Sequence, residues 1–278
     1  MWNFNYEKAK EASALLERHG FAMSKKFGQN FLLPRSVRER IVSQMGDIEG
    51  KRVFEIGPGL GAITSIMLEK GALVTAFEID HGFASILRNE AFLDEENFTL
   101  VEGDALKTMR GESEIPSLIV GNLPYNVGSV MIADLIERGF LPGRMVFTLQ
   151  KEVVERMCAS PGGKDYSSFS LLSQLDYVPS LSFTIARSCF YPEPNVDSAV
   201  VVMEKKSEKA IADDERARFF TLLRALFSQR RKTIKNNLSR LVPDKERLSE
   251  ILFKAGLDEK ERAENLRLED IIRLLRSF

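Results

Sequence analysis

Four consecutive residues, Asn122-Leu123-Pro124-Tyr125, close a short apolar run that begins at Leu118. Asn122 carries an oxygen that accepts hydrogen bonds, Pro124 has no amide hydrogen to donate, and Tyr125 offers a ring face. A flat group with an amine on its edge, such as a nucleobase, would find acceptors and a stacking surface here. A turn after a strand also uses Asn, Gly and Pro for its own geometry, so what precedes the tetrapeptide decides its meaning. Upstream, Glu55 leads into Gly57-Pro58-Gly59-Leu60-Gly61. Alternate glycines let a backbone pass close to a ligand with its amides turned toward it. The carboxylate before the first glycine suits a cationic amino-acid group, and Pro58 departs from the pyrophosphate-cradling pattern. A loop built to neutralise phosphates needs neither. Glu78, 17 positions after Gly61, suits a ribose whose two hydroxyls donate to one carboxylate, and Asp104 can accept from an adenine amino group.

These residues need a scaffold that brings them together, and the hydrophobic pattern supplies one. Short apolar runs predict strands over 51–55, 73–79, 98–102, 117–120, 145–149, 179–185 and 197–203, with helical patterns over 5–19, 34–45, 62–70, 130–137, 151–158 and 169–175. That alternation predicts a doubly wound α/β sheet, with Glu55, Glu78, Asp104 and Asn122 each closing a successive strand on its carboxyl side. The set fits S-adenosylmethionine: the amino-acid end near Glu55, ribose at Glu78 and adenine at Asp104. The sulfonium methyl then sits beside Asn122. An exocyclic amine is a poor attacker while its lone pair is delocalised into the ring. The Asn122 oxygen and the Leu123 carbonyl would direct its hydrogens for a direct in-line displacement. Cytosine C5 methylation would need a cysteine nucleophile, and neither Cys158 nor Cys189 follows a proline at the end of this sheet. Phe190, on a loop stiffened by Pro192 and Pro194, would form a second wall opposite Tyr125.

The net charge is -1, yet it is unevenly spread. Residues 1–40 carry eight Lys/Arg against four Asp/Glu, residues 208–278 seventeen against thirteen, and the middle fourteen against twenty-three. A polyanion could meet the basic ends while the acidic centre takes a cationic or neutral ligand. Lys25 and Lys26, in an aromatic and basic segment, read either as a surface arm or as a cover over the cofactor facing phosphate. From Arg224 to Arg240 there are six basic residues and no acidic one. Arg230, Arg231, Lys232 and Lys235 there are candidate phosphate contacts, although a charge run is commonly only solvated surface. Two cysteines and two histidines make neither a disulfide framework nor a metal cluster, so no metal is expected and a reducing cytoplasmic setting fits. No signal-peptide core or 18-residue apolar run occurs, which argues against secretion and membrane spanning. The charged stretch 204–214 predicts a linker, giving a domain over 1–206 and a small helical one over 207–278 with helices at 214–227, 232–241, 245–255 and 268–278.

Taken in order, Lys26 to Leu32, Glu55 to Gly61, Gly103-Asp104-Ala105, Asn122 to Ser129, Leu149 to Met157, Phe190 to Val200 and Phe227 to Asn237 make the chain similar to the KsgA family of small-subunit ribosomal RNA adenine dimethyltransferases, across nearly its full length. The resemblance implies a Rossmann-like class I methyltransferase fold, with a mainly parallel seven-stranded sheet whose last strand is antiparallel, and a small C-terminal helical domain. It implies transfer of two methyls to each of two adjacent adenines in the hairpin near the 3′ end of 16S RNA, in the small subunit or its assembly precursor, by a monomer. It places Gln29, Asn30, Leu32, Gly57, Gly59, Gly61, Ile79 and Ala105 with Glu55, Glu78, Asp104 and Asn122 on the cofactor. Asn122 through Tyr125 and Phe190 fall on the target adenine. Val127-Gly128 stands where Ile-Ser is common and Cys189 where Ala is common, so Gly128 is expected to loosen the turn after Tyr125. Two other readings are a large-subunit adenine dimethyltransferase of the macrolide-resistance type and a non-enzymatic assembly factor. The Phe227 to Asn237 segment and the two-proline loop favour the small subunit, and Glu55, Asp104 and Asn122 favour catalysis.

Overall fold

A computed structural model describes residues 2, 4–20, 30–112 and 114–278. Nine strands run in chain order: β1 (Phe31–Leu32), β2 (Arg52–Ile56), β3 (Leu73–Glu78), β4 (Phe98–Glu102), β5 (Leu118–Asn122), β6 (Arg144–Gln150), β7 (Tyr177–Ile185), β8 (Phe190–Tyr191) and β9 (Ser198–Lys205). Seven form one sheet in the order β4-β3-β2-β5-β6-β9-β7, and β1 pairs with β8. The β2–β3, β3–β4, β2–β5 and β5–β6 pairs are parallel, and β9 runs antiparallel to β6. This is the mainly parallel seven-stranded sheet that the resemblance implies, with its last strand reversed.

Burial explains why the central strands read as continuous apolar runs. Val53, Phe54, Ile119, Val120, Val146 and Phe147 are all fully buried, the pattern of strands covered on both faces. The order of the strands reverses between β2 and β5, which opens a crevice beyond their carboxyl ends. Helices α1 (Ala9–Arg18), α2 (Arg35–Ser43), α3 (Thr64–Glu69), α4 (His81–Ile86), α5 (Ala105–Thr108), α6 (Gly128–Glu137), α7 (Lys151–Met157) and α8 (Ser168–Asp176) lie among the strands. The sequence pattern predicts neither α4, whose last turn continues as a π-helical stretch over Leu87–Ala91, nor the short α5. Each starts at an acid that caps it. Asp80 Oδ1 accepts from the Gly82 and Phe83 amides at 2.9 and 3.2 Å, and Asp104 Oδ1 from the Leu106 amide at 3.0 Å.

The chain divides into two compact units. The first comprises Met1–Met131, Leu141–Val154 and Ser180–Lys205, and the second Ile132–Phe140, Glu155–Pro179 and Lys206–Phe278. The second holds α9 (Arg216–Leu226), α10 (Ile234–Leu238), α11 (Lys245–Lys254) and α12 (Leu268–Leu275). Along α12, Leu268, Ile271, Leu274 and Leu275 are buried, the spacing of one apolar helical face. No helix among the described residues is long and apolar enough to cross a membrane.

Candidate active site

A cavity of about 870 Å³, part of it open to solvent, lies in the crevice at the carboxyl ends of β2, β3 and β5. Of the sequence-predicted residues, Asn30, Leu32, Glu55, Gly57, Gly59, Glu78, Ile79, Asn122, Leu123, Pro124, Tyr125 and Phe190 all line it. Gly61, Asp104 and Ala105 are not on its wall. Asp104 follows β4, next to β3, where the Gly103 amide donates to the Glu78 carbonyl at 2.7 Å; its side chain caps α5 instead. Gly61, at φ 82°, has a packing reason: a Cβ there would stand 2.5 Å from Phe92 Cε2. Gln29, Lys25 and Lys26 lie outside the described residues. The sequence pattern did not assign Phe31 or Phe83 to the site; they are two further wall residues whose rings meet edge to face at 5.7 Å.

The glycine turn is held by the carboxylates around it. Gly57 and Gly59 adopt φ of 67° and 58°, the left-handed region that disfavours a side chain. The Gly57 amide donates to the Phe77 carbonyl at 2.9 Å. The Gly59 amide donates to Glu78 Oε2 at 3.0 Å and the Asp80 amide to Oε1 at 2.8 Å. Behind the turn, Thr64 Oγ1 donates to Glu55 Oε2 at 2.6 Å. Burial pushes the Glu55 carboxyl up to about 8, against the Thr64 bond and helped by the charge of Glu78. Burial likewise pushes Glu78 up to about 7, against the Asp80 and Gly59 amides. Two buried carboxyls on one wall, with no cation between them among the described residues, suit a ligand that brings a positive group and hydroxyl donors.

Asn122 is the best-defined polar group on the opposite side. The β5 ladder extends beyond the predicted end at 120, placing Gly121 opposite Phe147 and Asn122 opposite Thr148. Asn122 Nδ2 donates to the Asn30 carbonyl at 3.1 Å. A carbonyl only accepts, so this contact fixes which end of the amide is which and leaves Oδ1 as the acceptor. The Val127 and Gly128 amides occupy the Pro124 carbonyl at 3.1 and 3.0 Å, while no donor among the described residues reaches the Leu123 carbonyl. Tyr125 Oη and Ser198 Oγ are 2.7 Å apart, which anchors the half-buried ring by its far end. Phe190 reaches the cavity because β8 pairs with β1, with Leu32 opposite Phe190 and Phe31 opposite Tyr191. The slack expected from Gly128 is absent. Leu149 Cδ2 fills the space, 2.4 Å from where a Cβ would stand. Cys189 packs partly buried against the main core, and its carbonyl accepts the Leu33 amide at 2.9 Å.

In the second unit the candidate phosphate contacts divide. Arg230 Nε pairs with Glu264 at 3.0 Å and its Nη2 donates to the Lys164 carbonyl at 2.6 Å. Lys235 pairs with Glu259 at 2.5 Å. Arg231 and Lys232 are exposed and have no acidic partner among the described residues.

A glycine turn, acids at successive strand ends and an antiparallel final strand define a class I S-adenosylmethionine-dependent methyltransferase. The family model for ribosomal RNA adenine dimethylase matches residues 20–278, and the chain belongs to that family. It is 45% identical over 278 residues to the Ribosomal RNA small subunit methyltransferase A of Treponema denticola, covering 97% of this chain and 94% of that one. The crystal structure of a dimethyladenosine transferase from Plasmodium falciparum aligns with a TM-score of 0.73 at 26% identity, covering 86% of this chain and 94% of that one. The 23S rRNA methyltransferase ErmE shares the fold, with a TM-score of 0.66 at 22% identity over 88% of this chain and 98% of that one.

Proposed function

We propose that this protein transfers methyl groups from S-adenosylmethionine to N6 of two adjacent adenosines in the hairpin near the 3′ end of 16S ribosomal RNA, giving N6,N6-dimethyladenosines. It acts as a monomer in the cytoplasm, on the small subunit or its late assembly precursor. Residues 1–206 form the catalytic domain and 207–278 the RNA-contacting one. The observation that carries the chemistry is the oriented Asn122 amide, whose free oxygen shares a cavity with Tyr125, Phe190 and the two buried carboxyls. The choice of substrate rests on the full-length similarity to small-subunit methyltransferases.

The cofactor, when bound, supplies a methyl group on a positively charged sulfur. Glu55 would hold its ammonium end and Glu78 its ribose hydroxyls, with the glycine turn, Ile79, Asn30 and Leu32 as the surrounding walls. Asp104 and Ala105 follow the neighbouring strand β4, off the cavity wall and with the Asp104 side chain capping α5, and would meet only an adenine end that extends past that wall. Tyr125 and Phe190 sandwich the target base, a stacking gain of roughly 1–3 kcal/mol that offsets its extrusion from the RNA. Asn122 Oδ1 and the Leu123 carbonyl accept the two N6 hydrogens and turn the lone pair out of the ring plane, toward the donor. After one transfer a single N–H remains, and one acceptor suffices to orient it.

Incubating purified small and large ribosomal subunits with the protein and labelled donor tests reaction and substrate together. Mass analysis is expected to find dimethyladenosine only in the small-subunit RNA. Product confined to the large subunit would overturn the assignment, and product in neither would favour a binding-only role.

Two further results are expected. Adenosine, which carries the ribose hydroxyls but no ammonium, binds the ionised form of Glu78. Because that carboxyl sits at about 7 in the unliganded protein, affinity rises with pH, by up to about tenfold per unit below 7, and levels off above it. Calorimetry in buffers of different ionisation enthalpy should register proton release at pH 6, and Glu78→Gln should abolish it. Of the four candidate phosphate contacts in the second unit, pairing of Arg230 and Lys235 leaves Arg231 and Lys232 to meet phosphate. Replacing both with Gln is expected to weaken RNA binding and lower the salt slope by roughly one to two; an unchanged slope would remove this surface from the reading.

A further inference from the structure

Residues 1–19 precede the stretch matched by the family model, yet Trp2, Phe4, Tyr6 and α1 among them pack against the back of the glycine turn. Trp2 stacks on Phe4 with centroids 4.7 Å apart, and Phe4 meets the Tyr6 ring edge to face at 5.1 Å. From α1, Ala12, Leu15 and Leu16 join Leu60, Phe83 and Ile86 in one buried cluster. Inside it the Tyr6 hydroxyl donates to two adjacent carbonyls, those of Leu60 at 3.1 Å and Gly61 at 3.2 Å. Arg38 of α2, only 2% exposed, completes the arrangement. Its Nη1 donates to the Ala62 carbonyl at 3.3 Å, its Nη2 to the Leu33 carbonyl at 3.1 Å, and its guanidinium lies 5.1 Å from the Tyr6 ring centroid. The Glu7 carboxylate accepts the Arg35 amide at 3.0 Å, tying the segment to the start of α2.

Four carbonyls are thereby gripped from outside: the three consecutive ones of 60, 61 and 62 on the glycine turn, and that of 33 directly after the Phe31–Leu32 wall. Leu60 and Ala62 present their other side to the cavity. A turn with three left-handed glycines has more backbone freedom to lose than one built of residues with side chains, so an unrestrained turn would charge that ordering against ligand binding. We propose that Tyr6, with Arg38, clamps the glycine turn in its binding geometry, making Tyr6 a positioning residue for S-adenosylmethionine. This rests on the reading of the cavity as the cofactor site.

Tyr6→Phe keeps the ring and removes the hydroxyl. The expected result is a KM for S-adenosylmethionine and a Kd for S-adenosylhomocysteine each raised about fivefold, the worth of one such hydrogen bond. The kcat at saturating donor and the KM for RNA stay at wild-type values. A purely structural role would lower the active fraction, and so kcat, without moving KM or Kd. A Kd within twofold of wild type therefore overturns the clamp, whatever happens to kcat. Failure of the wild-type protein to bind S-adenosylhomocysteine would instead overturn the cavity reading, and the clamp with it.

Discussion

Asn122→Ala should lower single-turnover methyl transfer by roughly 10²–10³-fold, the scale of losing one preorganised polar contact to a reacting group, while RNA binding measured by filter retention stays near wild type. The variant removes the side-chain acceptor, which is oriented by the 3.1 Å bond from Nδ2 to the Asn30 carbonyl, and leaves only the Leu123 carbonyl. Stacking on Tyr125 and Phe190 and every phosphate contact remain. Asn122→Asp separates orientation from acceptance. It retains oxygens that can receive an N6 hydrogen but sets a carboxylate against the Asn30 carbonyl, two acceptors with no hydrogen between them. Its activity should fall between wild type and the alanine variant. A wild-type rate for Asn122→Ala, measured with labelled donor, would end the assignment.

The sheet was legible because its central strands are buried on both faces, so Val53–Ile56 and Leu118–Gly121 carry apolar or small residues without alternation, apart from Glu55. The acids were legible because each stands at or near the carboxyl end of such a run. What the acids do was less so. Asp104 and Asp80 both follow strands, and both use their carboxylates to cap the next helix, a local use that competes with ligand binding and has the same sequence signature. The pairing of β1 with β8 joins residues about 160 positions apart, and nothing in either dipeptide announces it. The run from Arg224 to Arg240 has no acid in sequence, yet Glu264 and Glu259 reach Arg230 and Lys235 from 34 and 24 residues away. Tyr6 gave no signal at all, since its partners are backbone carbonyls and carry no residue identity. Gly128 misled for a related reason: the space it vacates belongs to Leu149, a neighbour set by the packing of α6 and not by its own sequence.

In the second unit, Asp176→Ala should cost about 3–5 kcal/mol of stability, because it strands a buried charge. Arg216 is 8% exposed and Asp176 6%. Arg216 Nη1 and Nη2 meet the two Asp176 oxygens at 3.1 and 2.9 Å, and Nη2 also donates to the Ile136 carbonyl. Three chain segments of that unit, α6, the end of α8 and the start of α9, thus converge on one guanidinium. Exposure decides the magnitude. The Arg224–Glu137 pair, at 2.9 Å, is as short but has the arginine 62% exposed, so breaking it should cost under about 1 kcal/mol. Replacing both partners of the buried pair with apolar residues, Asp176→Leu with Arg216→Met, removes the desolvation penalty along with the attraction. It should therefore recover much of what the single variant loses. Urea denaturation followed by far-ultraviolet circular dichroism would read all three effects. A single-variant loss below about 1 kcal/mol, or a double variant no better than the single, would mean that solvent reaches this pair after all.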